Sequence, residues 1–196
     1  LRCHVLGNVQ PRGICGSGLM ELAAALKRVG IIDERGNFHD ASLSGSGAPA
    51  VTQALCTIDG SPAFRLYSDA GEFQTDIHVT REDIFLLRQA KAGVTLLIQD
   101  LLGCNGLVLA DVARVLISGA FGSAIDIDAF FELGFFPACF KGKVLFVGNT
   151  SKKGAQMVLL DRSLLEEAEN IVKDVVCIPL THHEPSEDEL HFLPVF

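Results

Sequence analysis

The chain has 196 residues, 48% of them hydrophobic and 20% charged, with a formal net charge of −8. That balance supports one large domain or two small ones with a substantial core, and its acidic sign argues against a surface that wraps a nucleic-acid backbone. The sequence has no apolar run long enough for a transmembrane helix, and Leu1-Arg2-Cys3-His4 carries neither an initiator Met nor a signal-peptide pattern.

A first helix is predicted from Ser17 to Val29, where Leu19, Leu22, Ala23, Leu26 and Val29 recur at helical spacing. Gly30 ends it, and Ile31-Ile32 leads into the polar turn Asp33-Glu34-Arg35-Gly36. The Ser/Gly-rich stretch from Ser42 to Ala48 reads as a flexible surface excursion. Short strands are expected at Ala63 to Tyr67 and Ile77 to Val79, joined by a Ser-Asp-Ala-Gly turn. Thr80-Arg81-Glu82-Asp83 then opens the longest helix, with Thr80 as its cap and two carboxylates at the positive end of its dipole. Its apolar stripe runs to about Leu102, and Asn105-Gly106 breaks it.

The run Val115 to Ser118 is short, apolar and β-branched, so it is predicted as a buried strand. It ends in the glycine-bracketed turn Gly119-Ala120-Phe121-Gly122 and feeds a helix from Asp126 to Gly134. A second apolar strand, Val144 to Val147, ends in Gly148-Asn149-Thr150-Ser151 and enters a helix through Gly154 and Ala155. A charged helix from Ser163 to Lys173 and a last strand from Val175 to Leu180 complete an alternation that predicts an α/β fold with helices on the faces of a sheet.

The chemistry suggested by this pattern is ligand binding. Three glycine turns (Gly13 to Gly18, Gly119 to Gly122, and Gly148-Asn149) stand at or near predicted helix starts, where free N–H groups favour anions and polar ligand edges. They line a shared cleft or serve close helix–sheet packing; neither GxxxxGK[ST] nor GxGxxG is present after a strand. Arg88, Gln89 and Lys91 interrupt the apolar middle of the long helix, as groups facing a nucleotide's ribose and adenine or as part of a solvated face. Ser17 lacks a GxSxG elbow, Asp126 and Asp128 read as capping charge, and Glu166, Glu167 and Glu169 read as a solvated face.

Cys3, Cys15, Cys56, Cys104, Cys139 and Cys177 form no CxxC pair, which argues against a zinc ribbon or a locally ligated iron–sulfur cluster and suits a reducing cytosol. Cys104, Cys139 and Cys177 are expected to act as small core residues. His182-His183-Glu184 reads as a solvated turn before Pro185, with a metal site as the other option.

Several motifs together carry a family resemblance. Pro11-Arg12-Gly13-Ile14-Cys15-Gly16-Ser17-Gly18-Leu19 resembles a block of the reductive activators of corrinoid proteins. The match continues through Gly30-Ile31-Ile32-Asp33, Gly36-Asn37-Phe38, Thr80-Arg81-Glu82-Asp83-Ile84 and Gln89-Ala90-Lys91-Ala92. It then takes in Ile117 to Gly122, Leu133-Gly134 with Pro137, and Val147-Gly148-Asn149 with Gly154-Ala155. In order, it covers roughly residues 11 to 196.

The resemblance implies one lobe of an actin-like (ribonuclease H-like) ATPase fold, a mixed sheet with helices on its faces. It implies that residues 1–196 are a single C-terminal lobe of a longer, cytoplasmic protein of anaerobic methyl-transfer metabolism. The parent would use ATP with Mg2+ and an iron–sulfur cluster to reduce cob(II)alamin in a corrinoid methyl-carrier protein to cob(I)alamin, and would be a homodimer. It implies no nucleic-acid or membrane partner, and no metal or catalytic residue in this chain. Carried over, Gly119, Ala120, Phe121 and Gly122 form the adenosine turn, Lys91 with Gln89 or Arg88 faces adenine and ribose, and Gly13, Gly16, Ser17 and Gly18 line the cleft. Ala120 departs from the family's Gly-Gly-Phe-Gly turn, and the sequence holds neither an Asp-x-Gly-Thr phosphate hairpin nor a cluster-ligating cysteine set. The chain alone is therefore expected not to hydrolyse ATP. The alternatives are an interaction or dimerisation module that docks the corrinoid protein without binding nucleotide, and a small-molecule kinase lobe. The position of Lys91, in a cleft or in solvent, separates the first of these from the ATPase lobe.

Overall fold

The computed structural model describes residues 4–39, 53–68, 76–119 and 126–178. Helix α1 spans Gly16–Arg28 and buries Leu22, Ala23, Ala24 and Leu26. It ends as the glycine predicts: Gly30 sits at φ +72°, Ile31 N–H donates to Leu26 O at 2.8 Å and Gly30 N–H to Lys27 O at 2.9 Å. This pair of bonds satisfies carbonyls that the helix end would otherwise leave open, and only the left-handed region allows it. The chain then reverses around Asp33, whose carboxylate accepts from the N–H groups of Arg35 and Asn37, so that Ile32 and Phe38 form an antiparallel bridge.

An antiparallel sheet follows, in the order β1 (Leu55–Ile58), β2 (Ser61–Ser68), β3 (Asp76–Thr80). Asp59 and Gly60, at φ 49° and 85°, close the two-residue turn between β1 and β2. The turn expected between β2 and β3 and the Ser42–Ala48 excursion lie outside the described residues. Helix α2 spans Arg81–Cys104, two residues beyond the predicted end, and starts in a capping box. Thr80 Oγ1 accepts from Asp83 N–H at 3.2 Å, and Asp83 Oδ2 accepts from Thr80 N–H at 2.8 Å. Two donors that the first turn leaves open are thereby satisfied reciprocally. Thr80→Ala is expected to lower stability by about 1 kcal/mol, read as a lower urea midpoint at unchanged m-value.

Strand β4 (Val115–Ser118) pairs in parallel with β5 (Val144–Gly148). Between them lies α3 (Ile127–Glu132), capped by Asp126, whose carboxylate accepts from Asp128 N–H at 2.9 Å. Helices α4 (Thr150–Leu160) and α5 (Leu164–Lys173) follow β5. The antiparallel and parallel pairings expected of a mixed sheet thus occur in two separate sheets among the described residues.

The core is concentrated in one part of the molecule. Leu22 and Leu26 of α1 pack with Ile31, Ile32, Phe64 of β2, Val79 of β3, Ile84 and Leu87 of α2, and Leu133 and Phe135 after α3. Across this junction Arg28 pairs with Glu132, and Lys27 Nζ donates to Glu132 O at 2.9 Å, tying the end of α1 to the end of α3.

Three expectations fail. Strand β4, predicted to be buried, has no buried residue, and its Leu116 is 59% exposed. Cys104, Cys139 and Cys177 are exposed rather than in the core: Cys104 ends α2 beyond its packed half, Cys139 sits in a short turn after Pro137, and Cys177 follows α5. Residues 175–178 carry no strand ladder, and the remainder of the predicted last strand lies outside the described residues. Val175 and Val176 are exposed, at 66% and 81%. Apolar, β-branched residues favour a strand only when a neighbouring strand takes their backbone groups.

Candidate nucleotide-binding site

The carboxyl ends of β4 and β5 form a corner built from two glycines and two hydroxyls. Gly119 N–H donates to Gly148 O at 3.1 Å, and the Ser118 and Thr150 hydroxyls are hydrogen-bonded to each other. Asn149 caps α4, its Oδ1 accepting from Lys152 N–H at 2.9 Å. Gly119 sits at φ +119° and Gly148 at φ +76°, conformations that a side chain would strain, and a Cβ on either would meet open space. The corner therefore presents bare backbone at the ends of parallel strands, the place where open α/β sheets bind ligands.

The three predicted glycine turns are only partly united. The structure joins Gly119 to Gly148-Asn149 through the strand pair. Of the predicted adenosine turn, Ala120, Phe121 and Gly122 lie outside the described residues. The Gly13–Gly18 turn leads into α1, whose N-cap is Cys15. Gly13 precedes the helix, while Gly16, Ser17 and Gly18 form its first turn. The Cys15 thiol is exposed, and its hydrogen bond with Ser17 Oγ, followed by one with Gly18, pulls it below the ordinary thiol range. Gly18 allows close packing there, since a Cβ would lie 3.3 Å from Cys15 Sγ and from the Ile14 side chain.

Lys91 has the most unusual setting. On α2, Arg88 and Gln89 are half-buried, whereas Lys91 is only 3% exposed. Burial pushes its ammonium down to about 8, and the charges of Lys27 and Arg88 push in the same direction. Lys91 thus lies within the electrostatic reach of Lys27 on α1, whose ammonium donates to Glu132 O. A solvated helix face, the other option for this segment, fails at Lys91.

Sequence reasoning misses Ser118, Thr150 and Lys27. The signal for Ser118 and Thr150 is their matching places, each within two residues of a strand-ending glycine. The approach of Lys27 has no local signal, since it arises from packing between α1 and α2. His182, His183 and Glu184 lie outside the described residues. Among the described residues no group of three His, Cys, Asp or Glu side chains stands close enough to hold a metal ion, and no helix is long and apolar enough to cross a membrane.

Comparison with known proteins gives one consistent answer. Residues 1–191 match the family model described as the C-terminal domain of RACo, the ASKHA domain. The corrinoid activation enzyme RamQ of Eubacterium limosum is 30% identical over 165 residues, covering 81% of this chain and 27% of that protein. A solved structure of a reductive activator for a corrinoid, iron–sulfur protein aligns at a TM-score of 0.76 and 32% identity, over 95% of this chain and 28% of that one. The chain thus spans little more than a quarter of the length of each relative.

Proposed function

Since the chain belongs to the reductive activators of corrinoid proteins, through their C-terminal ASKHA domain, we propose that it is the nucleotide-binding lobe of an ATP-dependent activator. The observation that carries this reading is Lys91. A lysine held almost out of solvent beside two other cations lowers stability, and such sites persist where a ligand uses the charge. A nucleotide's polar ribose edge and phosphates would accept hydrogen bonds from this ammonium. Arg88 and Gln89 flank it on α2. The Gly119 and Gly148 backbone would admit the adenosine without a side chain between, and Ser118 and Thr150 would offer hydroxyls to the same ligand.

In this reading residues 1–196 form one lobe, and Mg2+ with the phosphate-gripping hairpins belongs to the rest of the activator. ATP would draw the lobes together and favour the state that binds the corrinoid protein, by no more than its difference in affinity for the two states. That coupling would drive electron transfer to cob(II)alamin. The described cysteines do not fit an iron–sulfur cluster, so no electron-transfer step is assigned to them. A docking module without nucleotide needs no buried lysine on this helix, so the nucleotide reading is preferred.

The test is an ADP titration of the chain followed by amide NMR. A half-cleft is expected to bind in the millimolar range, about 4 kcal/mol. Shifts centred on Gly119, Gly148 and the Lys91 turn of α2, lost in Lys91→Met, are the expected result. A folded sample with no shifts at about 20 mM ADP, well above that range, would reject nucleotide binding by this lobe.

A further inference from the structure

The candidate site has two sides, and they stand on different parts of the fold. Lys91 and Arg88 belong to α2, in the core shared with α1, whereas Gly119, Gly148, Ser118 and Thr150 stand at the ends of β4 and β5. Among the described residues no strand of one sheet pairs with a strand of the other. The most extensive helix contact across this divide is α3 on α1, where Ala129 and the adjoining Leu133 enter the core beside Leu22 and Leu26. Phe130 of α3 packs on Phe135 and Phe136, with ring centroids 5.0 and 5.4 Å apart, and this aromatic connection runs on toward β5.

Two buried residues four apart give a single line of contact, about which a six-residue helix can roll. A polar tie beside that line removes the freedom, and Glu132 supplies it. Its carbonyl accepts from Lys27 Nζ at 2.9 Å, and its carboxylate accepts from Arg28 Nε at 3.1 Å and from Arg28 Nη2. Paired bonds to a planar guanidinium fix orientation as well as distance. Basic residues in a last helical turn serve the helix dipole in any case. Here, however, two adjacent cations of α1 end on one residue that lies 105 and 104 positions away. Lys27, held this way, is also the neighbour whose charge, after burial itself, does most to lower the Lys91 ammonium.

Building on the nucleotide reading, we propose that Glu132 is a positioning residue of the candidate site: by holding Lys27 and Arg28 it fixes the orientation of the Gly119–Gly148 corner relative to Lys91. Arg28 is 62% exposed, so the pair adds little to stability. Its effect is on preorganisation, because a ligand that contacts both sides loses affinity when their mutual orientation wanders.

The test uses Glu132→Ala, with Arg28→Met as a second variant, in the whole chain. Residual dipolar couplings of backbone amides in weakly aligned samples report the orientation of α1 and α2 against that of the β4–β5 pair. The wild type is expected to fit one alignment. In each variant the β4–β5 set is expected to reorient or lose amplitude relative to α1 and α2, at a urea midpoint close to that of the wild type. ADP is expected to bind about three- to tenfold more weakly. Variants whose two sets keep the wild-type orientation overturn the proposal, and so does an ADP affinity equal to that of the wild type. A fall in affinity that tracks a fall in urea midpoint also overturns it, since a merely structural contact gives that result. A wild type that shows no response to ADP rejects the nucleotide reading instead, and the couplings still decide whether Glu132 holds the two sides in register.

Discussion

Replacing Lys91 with methionine is expected to stabilise the isolated chain at pH 7 by about 1–3 kcal/mol while removing its response to ADP. Burial and the neighbouring charges lower the ammonium from 10.5 to about 8, and each tenfold loss of proton affinity corresponds to about 1.36 kcal/mol. The folded state therefore holds this proton less firmly than the unfolded chain. Below about pH 8 both states are protonated and the full penalty is present. As pH rises from about 8 toward 10.5 the folded lysine gives up its proton first, and the penalty disappears. Methionine has similar length and no charge, so the cavity term is small. Urea denaturation at pH 7, 9 and 10.5 should show the gain shrinking along that series. A gain independent of pH would mean that packing and not charge is its source, and a loss at pH 7 would mean that the hydrogen bonds of the buried amine outweigh its desolvation. A variant that gains stability and loses ligand response is what a functional charge predicts.

The parts of the fold visible in the sequence are those whose signals are local. The stripe of α1, the cap at Thr80 and the stop at Gly30 act within a few residues and appear where the sequence places them, whereas the stripe of α2 is buried only in its first half and leaves Leu97 and Leu101 exposed. Strand β1 escapes such a reading although Asp59-Gly60 is a strong hairpin signal, because Leu55-Cys56-Thr57-Ile58 has no clear alternation. Cys104 and Cys177 stand beside apolar residues that are themselves exposed, Leu101 at 49% and Val176 at 81%, whereas Cys139 is exposed between the buried Phe136 and Phe140. At Val175 and Val176 the sequence shows a segment suited to a sheet, and only the fold shows whether a neighbouring strand is there. At the candidate site, the corner of Gly119 and Gly148 follows from strands and glycines that can be read in order. The burial of Lys91 depends on the approach of α1 and α2, which no single segment encodes.

The second large effect is expected at the α1–α3 junction. Leu26 and Leu133 are both fully buried and belong to the same cluster. Truncating either to alanine removes its packing and leaves a cavity that fixed helix ends cannot close, at a cost of about 2–5 kcal/mol. Against a total stability of about 5–15 kcal/mol, Leu26→Ala alone brings the domain near its limit. Because the two side chains share a cluster, the double variant should cost less than the sum of the single ones. Amide exchange distinguishes this core from the rest of the molecule. In Leu133→Ala, protection should fall across α1, β2, β3 and the first half of α2, which share the cluster. In α4 and α5, which contribute no buried residue, exchange should be rapid already and change little. Equal loss of protection in all helices would show that the two parts unfold as one cooperative unit. That result would mean that β4, β5, α4 and α5 draw their stability from the α1–α3 core.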